Sequence, residues 1–160
     1  MQVAIRKIQP EDNESIRSVI RQVLEEHGVN KPGTAYYDES LNNMSASYTG
    51  KNMVYYVALL NGKIVGGAGV YPTPGLPEGT CELIKMYLLP EVRGLHIGKE
   101  LMYQCIDFAN DYGYRQMYLE TLPELNKALK MYEDFGFEKL DHSLGNTGHY
   151  ACDIRMIKKL

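Results

Sequence analysis

The sequence predicts a single mixed α/β domain over residues 1–160, in the order strand, helix, helix, three strands, helix, strand, helix, two strands. Three observations carry that prediction. The 160 residues, 44% hydrophobic and 23% charged, have the length and composition of one globular domain. Apolar residues alternate between a period near two and a period near 3.6, with no internal repeat, low-complexity run or linker between them. Glycine, proline or Asn-Gly punctuation bounds the segments. At this length folding removes roughly 70% of the surface an unfolded chain exposes, so a core forms without covalent staples.

Residues 2–8 alternate and close at Gln9-Pro10, which predicts the first strand. Beyond Pro10, Ile16, Val19, Ile20, Val23 and Leu24 fall at i, i+3, i+4, i+7 and i+8 before Gly28, the pattern of an amphipathic helix. A loop over 28–37 follows. Leu41, Met44 and Tyr48 then repeat at helical spacing, predicting a shorter second helix over 38–48. Residues 53–60 and 63–71, joined by Asn61-Gly62, form an antiparallel hairpin. The prolines of 72–79 remove ladder donors, so a loop precedes the strand at 80–89. Residues 98–112 carry Leu101, Met102, Cys105, Phe108, Ala109 and Tyr112 on one face and stop at Gly113, which is a helix. A strand at 115–121, a helix at 124–135 ended by Gly136, and strands at 137–140 and 149–157 complete the order.

Charge and cysteine usage exclude several function classes. Lys+Arg 17 against Asp+Glu 20, a net charge of -3, lacks the basic field of a general nucleic-acid binder, although a local phosphate site remains compatible with it. Cys81, Cys105 and Cys152 form no C-x-x-C pair and no disulfide framework, and point to a reducing, cytoplasmic setting. Charges at Arg6, Lys7, Glu11, Asp12 and Arg17 interrupt the first twenty residues, so neither a signal peptide nor a membrane span is expected. His27, His96, His142 and His149 lack metal-ligand spacing, and no metal is predicted. Thirteen tyrosines against three phenylalanines and no tryptophan leave the aromatic surface rich in hydroxyls.

The chemistry concentrates in 82–102, read as a strand, a tight loop and a helix start. A loop of small residues opening a helix aims unpaired backbone N–H groups at one point, where the helix dipole also favours an anion. Arg93 and Lys99 flank that point. A P-loop needs four residues between its glycines and a Ser or Thr after the lysine, whereas Gly94 and Gly98 enclose three and Glu100 follows Lys99. Neither this loop nor Gly67-x-Gly69 completes a G-x-G-x-x-G dinucleotide fingerprint. Taken alone, the two glycines read better as a plain strand-to-helix turn.

Arg93-Gly94-Leu95-His96-Ile97-Gly98, after a strand ending near Pro90, resembles the pyrophosphate loop of the GNAT superfamily of acetyl-CoA-dependent N-acetyltransferases. A second segment, residues 128–137 with its helix and Gly136-Phe137 end, resembles that superfamily's other motif, and the element order matches over nearly the whole chain. The resemblance implies a mostly antiparallel mixed sheet flanked by helices, and acetyl transfer from acetyl-CoA directly to a primary amine of a small molecule or peptide. It implies cofactor contacts at Met86, Tyr87 and Leu88, at Arg93, Gly94, Leu95, His96, Ile97, Gly98 and Lys99, and at Asn126. It also implies Tyr132 as the acid for the departing thiolate. Two departures stand out. His96 occupies the usual middle glycine, where its imidazole either crowds or contacts the pyrophosphate. Leu125 occupies the position of a frequent asparagine, with Asn126 one residue later.

A general base is needed because an ordinary amine of pKa about 10.4 is neutral in roughly one molecule in a thousand at pH 7. Glu82 is the first candidate, inserted by strand parity into a row with Ile84, Met86 and Leu88, and Glu120 or a water chain is the reserve. A solvated Glu82 near its strand's start is the competing reading. Cys81 and Cys105 read as inert core thiols. Acceptor contacts are expected from the first two helices and from loops 72–79 and 140–148, with Tyr36, Tyr37 and Tyr71 as positional candidates. A homodimer through the 61–62 hairpin and the final strands stays open at the family level. A non-catalytic acyl-CoA-binding or interaction module is the alternative, and a nucleotide-binding regulator a third reading.

Overall fold

A computed structural model describes residues 1–160 as one seven-stranded sheet with three α-helices against it. The strands are β1 (Val3–Lys7), β2 (Val54–Leu60), β3 (Lys63–Tyr71), β4 (Thr80–Leu88), β5 (Gln116–Thr121), β6 (Glu138–Leu140) and β7 (Ile154–Lys159). Their spatial order is β1-β2-β3-β4-β5-β7-β6, antiparallel throughout except for the parallel β4–β5 pair. The mixed, mostly antiparallel sheet is the one expected.

The helices are α1 (Asn13–Glu26), α2 (Ile97–Tyr112) and α3 (Asn126–Asp134). The stripe Ile16, Val19, Ile20, Val23 and Leu24 is buried as its spacing requires, and α1 packs on β3 and β4. α2 buries Leu101, Met102, Cys105 and Ala109 against β2 and β3. No helix is long and apolar enough to cross a membrane.

Two expected elements differ. Residues 38–48 form no α-helix; two 3-10 turns, Glu39–Asn42 and Met44–Ser47, take their place, and a third, Ala35–Tyr37, ends the expected loop. Period three still sends Leu41 and Met44 inward, both fully buried, so the spacing is satisfied by the tighter helix. Ser and Asn at 40, 42, 43, 45 and 47 compete for backbone hydrogen bonds, and Asn43, at φ −156° and ψ 68°, interrupts the run. The last strand begins at Ile154 instead of 149, because Cys152 N–H turns back to the His149 carbonyl.

Two features of the sheet shape the site. The β4–β5 ladder pairs Thr80, Cys81 and Glu82 with Gln116, Met117 and Tyr118 and then stops, although β4 continues to Leu88. Backbone groups of β4 that face β5 beyond Glu82 therefore have no strand partner. The β3–β4 register also slips: Gly69 pairs with Ile84 but Gly67 pairs with Tyr87, a bulge at which Lys85 takes φ 51°. The buried Tyr55 hydroxyl donates to the Lys85 carbonyl at 2.7 Å and props that bulge. Glycine at 67 leaves room for the Tyr55 ring, which a Cβ there would meet at 2.6 Å. That close approach is the role of the glycines that form no dinucleotide motif.

Candidate active site

The divergence of β4 from β5 is flanked by two cavities lined by successive segments of β4. Met86, Tyr87 and Leu88 line the larger, of about 620 Å³. Glu82, Ile84 and Lys85 line the smaller, of about 260 Å³. The bulge thus breaks the expected parity: Met86 and Leu88 do not share a cavity with Glu82.

The larger cavity is closed by the loop and first turn of α2. Gly94 takes φ 84° and His96, also left-handed at φ 64°, is the residue preceding the helix. The N–H groups of Gly94, His96, Ile97, Gly98 and Lys99 donate to no protein acceptor, which leaves five donors beside a helix N-terminus. Gly98 packs beneath them, since a Cβ there would come 3.1 Å from Leu88 Cδ1 and 3.4 Å from Met131 Sδ. Lys99 on α2 and Lys127 and Lys130 on α3 supply positive charge to the lining. Donors of this kind, above an apolar floor of Met86, Leu88 and Met131, fit a phosphorylated ligand with an uncharged arm.

Three residues of the expected contact set stand apart here. Arg93 lines the cavity, but its guanidinium is engaged in a bidentate pair with Glu26, 2.7 and 2.8 Å, and donates to the Leu88 carbonyl at 2.9 Å. The pair holds the Glu26 carboxyl below the usual range and ties the end of α1 to the loop. Leu95 is exposed outside the cavity, carried away by the turn between Gly94 and His96. Asn126 is exposed on the first turn of α3; Leu125, Lys127 and Ala128 line the cavity instead, because one residue rotates the helix face by about 100°.

Tyr132 is 6% exposed, packs edge-on against Phe137 at 5.9 Å, and lines neither cavity. Burial raises its pKa well above the usual value, so the hydroxyl stays protonated. It lies near Tyr87, which does line the larger cavity.

In the smaller cavity Glu82 is 3% exposed, not solvated at a strand end. Burial pushes its carboxyl up to about 7, against the opposing effect of the Thr73 hydroxyl that donates to it and of nearby His149 and Lys85. Asp38 bridges Lys85 and His149, accepting from Lys85 Nζ at 2.9 Å and lying 2.8 Å from His149 Nε2. Burial would raise the Asp38 carboxyl, but His149 and Lys85 together hold it below the ordinary value. Glu120 is tied up by the Tyr118 hydroxyl at 2.5 Å and the Thr147 hydroxyl, which anchors the loop before β7. The walls come from 38–48, from Thr73 and Pro74, and from 146–149, with Tyr71 among them. Of the other tyrosines, Tyr36 donates to Glu25 at 2.9 Å and Tyr37 is 59% exposed.

Sequence reasoning missed Asp38, Lys85, Lys127 and Lys130, and placed His149 only at the start of the last strand. A lysine inside an apolar strand was the one available signal for Lys85. Cys81, Cys105 and Cys152 are buried and unpaired; burial pushes Cys81 and Cys152 up to about 12 and Cys105 higher, so none is poised as a thiolate.

Comparison with known proteins agrees with this architecture. Residues 17–137 match the acetyltransferase (GNAT) family. The chain is 38% identical over 157 residues to the uncharacterised N-acetyltransferase YjgM of Escherichia coli (strain K12), covering 98% of this chain and 94% of that one. In fold it is similar to an acetyltransferase of the GNAT family from Staphylococcus aureus MU50, with TM-score 0.88 and 20% identity over 99% of both chains. The PaiA N-acetyltransferase from Thermoplasma acidophilum, solved in complex with coenzyme A, superposes at TM-score 0.78 with 21% identity over 100% of both chains. The chain belongs to the GNAT family of acetyltransferases, and its chemistry is acyl transfer.

Proposed function

We propose that the protein transfers an acetyl group from acetyl-CoA directly to a primary amine of a small acceptor, with Glu82 as general base and Tyr132 as general acid. One observation carries the reading: consecutive residues of a single bulged strand line, first, a polar cavity with a carboxylate poised near neutrality and, next, a larger cavity crowned by five free amides. When bound, acetyl-CoA supplies the thioester carbon and a thiolate leaving group. The amides of 94 and 96–99 with Lys99, Lys127 and Lys130 receive its phosphates, while Met86, Tyr87 and Leu88 line its uncharged arm. The unpartnered backbone of β4 beyond Glu82 orients the carbonyl and stabilises charge developing on its oxygen. Glu82, half ionised near pH 7, takes the proton that the amine must lose for its lone pair to attack. As the C–S bond breaks, the proton for the leaving sulfur is assigned to Tyr132, which lines neither cavity itself but lies near Tyr87 of the larger one.

Tyr132→Phe is expected to lower turnover roughly 10- to 100-fold, the low end for an acid catalyst because a thiolate leaves readily. CoA should raise the melting temperature of wild type and variant alike, and ATP of neither. Full turnover in the variant would remove Tyr132 from the mechanism, and protection by ATP without CoA would favour a nucleotide regulator.

A further inference from the structure

The smaller cavity gathers carboxyl groups around one lysine and one histidine, and their arrangement leaves the lysine with a single acceptor. Asp38 and Glu82 stand against Lys85 and His149, with Glu39 at the exposed rim. Lys85 has only 5% of its side chain exposed, and an ammonium carries three N–H donors. Asp38 is its one protein partner, and Asp38 also serves His149. Donors without acceptors are costly once water is displaced, so the remaining N–H groups of Lys85, on the cavity wall, favour a bound group that can accept from them.

We propose that the cavity is a zwitterion site: the acceptor is a small free amino acid, its carboxylate received by Lys85 and its amine presented to Glu82. The inference rests on the acetyl-transfer reading above and narrows it. A polyamine would bring a second cation against Lys85 in a desolvated space, which like-charge repulsion opposes. A peptide N-terminus offers a neutral amide where the carboxylate belongs, beside Lys85. The strained bulge has a purpose in this arrangement. It turns Lys85 into the same cavity as Glu82, where a regular strand would send the two to opposite faces.

The test compares glycine, alanine, serine, methionine and phenylalanine with their methyl esters and decarboxylated amines. Thiol release from acetyl-CoA reads transfer, and thermal unfolding with each compound reads binding. Free amino acids are expected to exceed both analogues in kcat/KM by at least about tenfold. The methyl ester has the less basic amine, so basicity alone would favour the ester. Lys85→Gln should collapse the preference by raising KM for the amino acids alone, and Lys85→Arg should restore part of it. The wild-type series decides the matter if Lys85→Gln does not fold. Equal or better transfer to esters or decarboxylated amines overturns the zwitterion site while leaving amine acetylation intact, and so does an equal loss for all three classes in Lys85→Gln. Stabilisation by free amino acids that requires Lys85, without transfer to any compound, upholds the site and overturns the acetylation reading. Neither stabilisation nor transfer overturns the site.

Discussion

Glu82→Gln is expected to lower kcat/KM by about 10²- to 10⁴-fold, the span of a lost general base, with the binding of CoA unchanged. The side chain is isosteric and still accepts from Thr73, so packing is preserved. In the wild type the rate should rise with pH through about 7 and level off above it, because the proposed role of Glu82 as base needs its ionised form. That limb should vanish in the variant. Stability should move the other way. A carboxyl raised from an ordinary 4.5 to about 7 keeps its proton longer in the folded chain, so its contribution is present below about 4.5 and is lost as pH rises to about 7. The difference corresponds to about 3 kcal/mol. Glutamine has no proton to lose, so the variant should gain stability over wild type above pH 7 while losing activity. Thermal unfolding at pH 5 and pH 8 beside a pH–rate profile checks both halves. Loss of activity without the stability gain would mean that Glu82 is not the buried, near-neutral group described.

Gly67→Ala should destabilise the fold by about 1 to 3 kcal/mol, the range for overpacking a filled interior. The added Cβ would stand 2.6 Å from Tyr55 Cε1, 2.7 Å from its hydroxyl and 2.8 Å from the Tyr56 carbonyl. Neither a strand carbonyl nor a ring 1% exposed moves easily. Because the displaced hydroxyl is the one that holds the Lys85 carbonyl, the bulge should loosen with the ring. The melting temperature should fall by about 2 to 4 °C for each kcal/mol at this chain length. KM for the acceptor should rise more than KM for acetyl-CoA, since Lys85 lines the cavity proposed for the acceptor. A stable Gly67→Ala protein with wild-type kinetics would detach the bulge from function.

Local patterns in the sequence carried much of this fold. Five apolar residues at helical spacing made α1, Asn61-Gly62 made the β2–β3 hairpin, and the prolines of 72–79 made the loop before β4. Each is a short-range effect of side-chain period or backbone geometry. Where the pattern was ambiguous the tighter helix won: Leu41 and Met44 satisfy period three as well as period 3.6, and surrounding Ser and Asn residues tipped the balance. In the site, the 94–98 loop and the carboxylate at 82 were legible because they sit on one strand–loop–helix unit. The rest depends on contacts between distant segments. Arg93 meets Glu26 across 67 residues and Asp38 meets His149 across 111, and no spacing rule announces either. The bulge at Lys85 arises from the fit of Tyr55 against Gly67, so strand parity placed Met86 and Leu88 on the wrong side of Glu82.

The central claim is acetyl transfer to an amine across the split between β4 and β5. Its most direct measurement is thiol release from acetyl-CoA with and without a panel of primary amines and amino acids, with the acetylated product quantified by mass. The account predicts that at least one acceptor accelerates thiol release, with product equal to the thiol formed and a rate that climbs with pH through about 7. Stabilisation by acetyl-CoA with no amine-dependent thiol release across the panel would contradict it.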